Sequence, residues 1–70
     1  ADETGALGDA DVAAAAGDWA TAFAALIAEV QATSGDEREA ARERLVALFA
    51  MAGDDPAVPP ARLALASALF

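Results

Sequence analysis

The stretch DWATAFAALIAEVQAT, residues 18–33, decides the fold. Trp19, Ala22, Phe23, Leu26, Ile27 and Val30 recur at i, i+3, i+4, i+7, i+8 and i+11. That is one continuous apolar stripe with the 3.6-residue period of an α-helix. Asp18 stands where a helix N-cap belongs, and Thr33-Ser34-Gly35 ends the run. The spacing predicts a helix over 18–33.

Reading towards the C-terminus, Ala41, Leu45, Leu48, Phe49 and Ala52 repeat the same spacing and predict a helix over 36–52. Ser34 with Glu37, or Asp36 with Glu39, offers it a capping box. Glu39 and Arg42 are placed for an i,i+3 pair worth roughly 0.2–0.5 kcal/mol. Gly53-Asp54-Asp55-Pro56 is a strong break. Pro56, Pro59 and Pro60 follow, and since proline belongs in a helix's first turn, the last helix starts between Pro56 and Pro60 and is expected over 57–69. Reading towards the N-terminus, Asp9 or Asp11 offers a cap for a short helix over 9–16, which ends at Gly17. Residues 1–8 carry two glycines and two acids and read as a flexible leader. The expected architecture is therefore all-α, with residues 9–70 forming four helices as two antiparallel pairs. Its expected core is Trp19, Phe23, Leu26, Ile27, Leu45, Leu48 and Phe49.

Composition agrees with that class and narrows the function. Alanine, the best helix former, supplies 23 of the 70 residues. β-branched residues are few, which argues against a sheet. Seventy residues make one domain at most, near the size at which a single core is only marginally sufficient. The formal charge of −8 disfavours nucleic acid and anionic membrane surfaces as partners. Of the arginines, Arg38, Arg42 and Arg44 stand among Glu37, Glu39 and Glu43 and read as a solvated helix face. Val12 to Val30 approaches the length of a membrane span, but it is mostly alanine and Gly17-Asp18 interrupts it. A buried helix pair is the better reading, and no membrane partner is expected. No basic n-region with a small-residue cleavage site opens the chain, so no signal peptide is expected.

Catalytic chemistry finds little to work with. Lysine, histidine, tyrosine and cysteine are all missing, so general acid–base work falls to carboxylates alone. The Asp9/Asp11 and Asp54/Asp55 pairs are candidates for acid chemistry or calcium, with helix capping as their plain reading. The ligand pattern of a calcium loop is not met after Asp9. Ser34 and Ser67 have no base to activate them, and no glycine-rich phosphate loop occurs. Trp19 is either a ligand-stacking residue or core, and its helical spacing with Phe23 and Leu26 favours core. No catalytic, metal or cofactor site is expected.

Ala16-Gly17-Asp18 recurs as Ala52-Gly53-Asp54, 36 residues later, each time at a turn between expected helices. Helix–turn–helix units at a spacing of about 34 residues mark tetratricopeptide arrays. The runs AGDWATAFAALIAEV (16–30) and DEREAARERLVALFAMAGDDPAVPPARLALASALF (36–70) resemble the C-terminal tetratricopeptide region of thioredoxin-like proteins of the YbbN/CnoX type. The matching features are Gly17-Asp18-Trp19 with Ala22, then Asp36, Ala40-Ala41-Arg42, Leu45 and Leu48-Phe49. They continue through Gly53-Asp54-Asp55-Pro56 to Arg62-Leu63, Ala66-Ser67 and Leu69-Phe70. In that family a thioredoxin-fold domain comes first and helical repeats follow. The resemblance implies tetratricopeptide-like helical hairpins at the end of a longer, cytoplasmic protein. It further implies a chaperone that holds unfolded clients, protects cysteines and passes clients to the chaperonin. Members usually carry more arginines in the terminal helix, where this chain has only Arg62 before Leu63-Ala64-Leu65.

The terminal helix is where a partner surface is expected. Leu63, Ala66 and Phe70 lie on one stripe, and Leu65 and Leu69 on another. Two stripes exceed what the core of so small a unit uses, and such an apolar excess marks partner surfaces. Leu63, Leu65, Leu69 and Phe70 are the expected partner-binding residues, with one stripe packed on the third helix and the other facing outward. The partner is an unfolded client, the chaperonin or upstream repeats. Alternatively the chain is a free-standing helical dimerisation or adaptor module, and as an isolated fragment a homodimer is expected.

Overall fold

The computed structural model describes residues 5–69. It contains four helices: α1 (Gly5–Ala15), α2 (Trp19–Ala32), α3 (Gly35–Ala52) and α4 (Val58–Leu69). There is no strand among the described residues. The all-α class and the four helices follow the expectation closely.

The turns form for local reasons. At the end of α1, Gly17 takes φ 80°, its N–H donates to the Ala14 carbonyl (3.0 Å), and that of Asp18 donates to the Ala13 carbonyl (2.8 Å). This is a Schellman closure, which satisfies carbonyls the helix end would otherwise strand. Asp18 then caps α2, its carboxylate accepting from the Thr21 N–H at 3.4 Å. At the end of α3, Gly53 takes φ 64° and its N–H donates to the Phe49 carbonyl. Asp55 closes the next turn, its side chain accepting from the Ala57 N–H at 2.9 Å. Pro59 and Pro60 fall in the first turn of α4, where no intrahelical donor is needed.

Two local expectations are corrected. The first helix begins at Gly5, not Asp9, so the expected leader of residues 1–8 overlaps its opening turn; residues 1–4 lie outside the described residues. Asp9 and Asp11 thus sit inside α1 and cap nothing. Packing of Ala10 and Ala13 into the core outweighs the low helix propensity of Gly5 and Gly8. Neither capping box forms at α3. Ser34 holds the N-cap position without a side-chain hydrogen bond, and the Glu39 carboxylate is taken by Arg42. The junction is held from the other side: the Thr33 hydroxyl donates to the Glu29 carbonyl (2.7 Å), and Arg38 Nε donates to the Thr33 carbonyl (3.1 Å).

The core centres on α2. Phe23, Leu26 and Val30 from this helix, with Leu45, Leu48 and Phe49 from α3, are buried. The Phe23 and Phe49 rings meet edge-on with centroids 5.0 Å apart, a favoured aromatic geometry. Trp19 stacks on Phe23 at 6.0 Å. Trp19 and Ile27, expected in the core, are only partly buried at its edge.

The pairing differs from two separate hairpins. α2 is the hub: α1, α3 and α4 all pack on it, and α4 packs chiefly on α2 rather than on α3. The expected packing of a terminal-helix stripe on the third helix is therefore corrected. Val58, Ala61 and Leu65, at i, i+3 and i+7, form the inner face of α4. The visible link to α3 is Arg62, whose guanidinium lies over the Phe49 ring at 5.6 Å. The result is a slab of 31 × 29 × 14 Å, too thin to enclose all of its apolar side chains.

Candidate protein-interaction surface

The four expected partner residues divide. Leu63 is 71% exposed and Leu69 37% exposed. Leu65 is only 8% exposed and belongs to the core, which corrects its assignment to a partner face. The reason is register: Leu65 follows Ala61 by four and Val58 by seven, so it points with them at α2. Phe70 lies outside the described residues. Leu63, two residues from both Ala61 and Leu65, points away from α2, whereas Leu69, four residues after Leu65, lies at the edge of the inner face. Val12, Val46 and Met51 are also exposed, scattered over α1 and α3.

α4 also borders a feature that the sequence reading missed. A groove of about 390 Å³ runs between α2 and α4. Ala20, Ala24, Ile27 and Gln31 of α2 form one wall, and Pro60 and Ala64 of α4 form the other. Gln31 brings the only polar side chain in the lining. The signal was present as a second stripe on α2, Ala20, Ala24, Ala28 and Gln31 at near-helical spacing. Alanine hid it, because alanine is equally at home on a core face, a groove wall or a solvated face.

Charge is arranged around these apolar surfaces rather than in them. No polar or charged side chain is buried among the described residues. Arg42 pairs with Glu39, Nε to Oε1 at 3.1 Å, which fulfils the expected i,i+3 bridge. The hydrogen bonds from Arg42 hold the Glu39 carboxyl below its ordinary pKa, and Glu39 in turn raises that of Arg42. Arg44 reaches across to Asp11, Nε to Oδ1 at 3.0 Å, joining α3 to α1. Asp11 is therefore an ion-pair partner rather than a cap.

Asp55 and Asp18 are occupied with backbone N–H groups. No cluster of three or more metal-ligating side chains occurs among the described residues. No described helix is long and apolar enough to cross a membrane. A family model described as tetratricopeptide repeat matches residues 1–70. No curated protein and no solved structure matches the chain.

Proposed function

The chain belongs to the tetratricopeptide-repeat family, whose repeats generally mediate protein–protein interaction, and from that premise we propose that it is a non-catalytic module that binds proteins through apolar surface left open on α2 and α4. The observation that carries this reading is the α2–α4 groove, an apolar concavity with one polar side chain in its lining. The exposed Leu63 and Leu69 of α4, outside the groove lining, add to it. Each large apolar side chain left in water forgoes roughly 1.5–3 kcal/mol of burial, so both surfaces favour a covering partner.

In its finer form, the chain acts as the C-terminal repeat region of a cytoplasmic, thioredoxin-like chaperone, holding unfolded clients and passing them to the chaperonin. The likeness of residues 16–30 and 36–70 to that region supports this. Thiol exchange would then belong to another domain, since it needs a thiolate and this chain has no cysteine. Light scattering from a heat-labile enzyme tests the holding role. The chain is expected to suppress aggregation, and Leu63→Ser with Leu69→Ser to weaken the effect. Undiminished aggregation at molar excess of the chain contradicts it. The second reading, a dimerisation module, is favoured by the 71% exposure of Leu63. It requires self-association that strengthens with salt, because salt screens repulsion between copies of charge −8.

A further inference from the structure

Resting on the interaction-module reading, we propose that the α2–α4 groove takes a cationic amphipathic helix of another protein, about three turns long.

Shape and hydrogen bonding select a helix. The α2 wall runs from Ala20 to Gln31, about 16 Å at the helical rise of about 1.5 Å per residue. An extended segment laid there would bring N–H and C=O groups against a lining whose one polar side chain is Gln31. Such groups are costly to bury unpaired. A helix satisfies its own backbone and presents only side chains. The walls are mostly alanine, so a guest helix approaches closely and fills the 390 Å³ with large side chains of its own.

Charge selects the flanks of that helix. Asp18 stands two residues before the lining Ala20, and Asp54 and Asp55 stand just ahead of the lining Ala57. Two of the four arginines are paired with carboxylates, Arg42 with Glu39 and Arg44 with Asp11, and Arg38 and Arg62 leave the chain at a net charge of −8. A second copy of the chain brings the same charge of −8 and is repelled. A helix with Leu or Phe on one face and Lys or Arg along its borders meets both features.

The chain carries its own reporter. Trp19 stacks on Phe23, which lines the groove, so filling the groove alters tryptophan emission. The probe is a synthetic peptide of about 15 residues, leucine on one face and lysine on the other. A matched peptide with glutamate replacing lysine is the control. Binding of the lysine peptide is expected to weaken about tenfold between about 20 mM and about 300 mM salt. Ala24→Gln with Ala28→Gln, at exposed positions, should weaken it at least about tenfold without changing the helical spectrum. Ala64→Gln repeats the test from the other wall, and Val46→Gln, at an exposed position of α3, should bind as the wild type does. Unchanged affinity in both groove variants overturns the proposal, as does equal binding of the glutamate peptide. Loss with Leu63→Gln but with neither groove variant places the partner on the outer face of α4, which overturns the groove proposal and leaves the interaction-module reading standing. So does failure of the lysine peptide to bind while aggregation is still suppressed. Self-association that grows with salt and is abolished by the groove substitutions assigns the groove to a second copy and overturns the proposal.

Discussion

Phe23 touches most of what the molecule is built from. It meets Phe49 edge-on, supports Trp19, and shares the lining of the groove with Ala61 of α4. Leu45, fully buried in the same core, gives the sharper test of packing. Leu45→Ala is expected to cost roughly 2–5 kcal/mol, a large share of the 5–15 kcal/mol typical of a whole domain. Thermal denaturation followed by circular dichroism checks this, and an unchanged midpoint contradicts the core. Gly53 tests backbone instead of packing. A methyl group there meets nothing within 4 Å, yet φ +64° with ψ −115° lies outside even the left-handed helical region, so Gly53→Ala should cost about 1–3 kcal/mol from conformation alone. Glu39 sets a lower bound. Its folded pKa is depressed by Arg42, so its contribution exists above the unfolded pKa and is lost as pH falls through the folded value. The pair is exposed, so Glu39→Gln should differ only slightly from wild type at neutral pH, and that difference should vanish on acidification. A difference that grows in acid contradicts the pairing.

At the scale of elements, the helices legible in the sequence were those with large apolar residues at fixed spacing. Trp19 to Val30 and Ala41 to Ala52 named their own faces, and Gly17 and Gly53 marked their own stops. Three features were harder to read. The start of α1 was hidden because Gly5 and Gly8 argue against helix while the packing that overrides them is not local. The partner of α4 was hidden because the short connection after Gly53 suggested α3, whereas Val58, Ala61 and Leu65 found a larger complementary face on α2. The groove was hidden by alanine. The register of α4 separates the two leucine roles that the sequence merged. Leu65→Ser should lower the melting midpoint strongly, because it places a hydroxyl against α2. Leu63→Ser should leave the midpoint within a degree or two, since surface changes usually stay within about 0.5 kcal/mol. Equal effects on the two would mean that α4 is rotated.

For the whole molecule, thinness is the governing fact. A slab only 14 Å deep buries one layer of side chains around α2 and leaves apolar flanks on α4 open. That geometry suits a repeat whose neighbours complete it, and it leaves an apolar concavity between α2 and α4 on a chain of net charge −8. Proteins are expected to bind on this open surface. Amide chemical-shift mapping of the ¹⁵N-labelled chain, titrated with a permanently unfolded protein, tests it most directly. Shifts are expected on α2 from Ala20 to Gln31 and from Ala57 through α4 to Leu69, with α1 left nearly unmoved. A spectrum unchanged at saturating ligand, or shifts confined to α1, would contradict it.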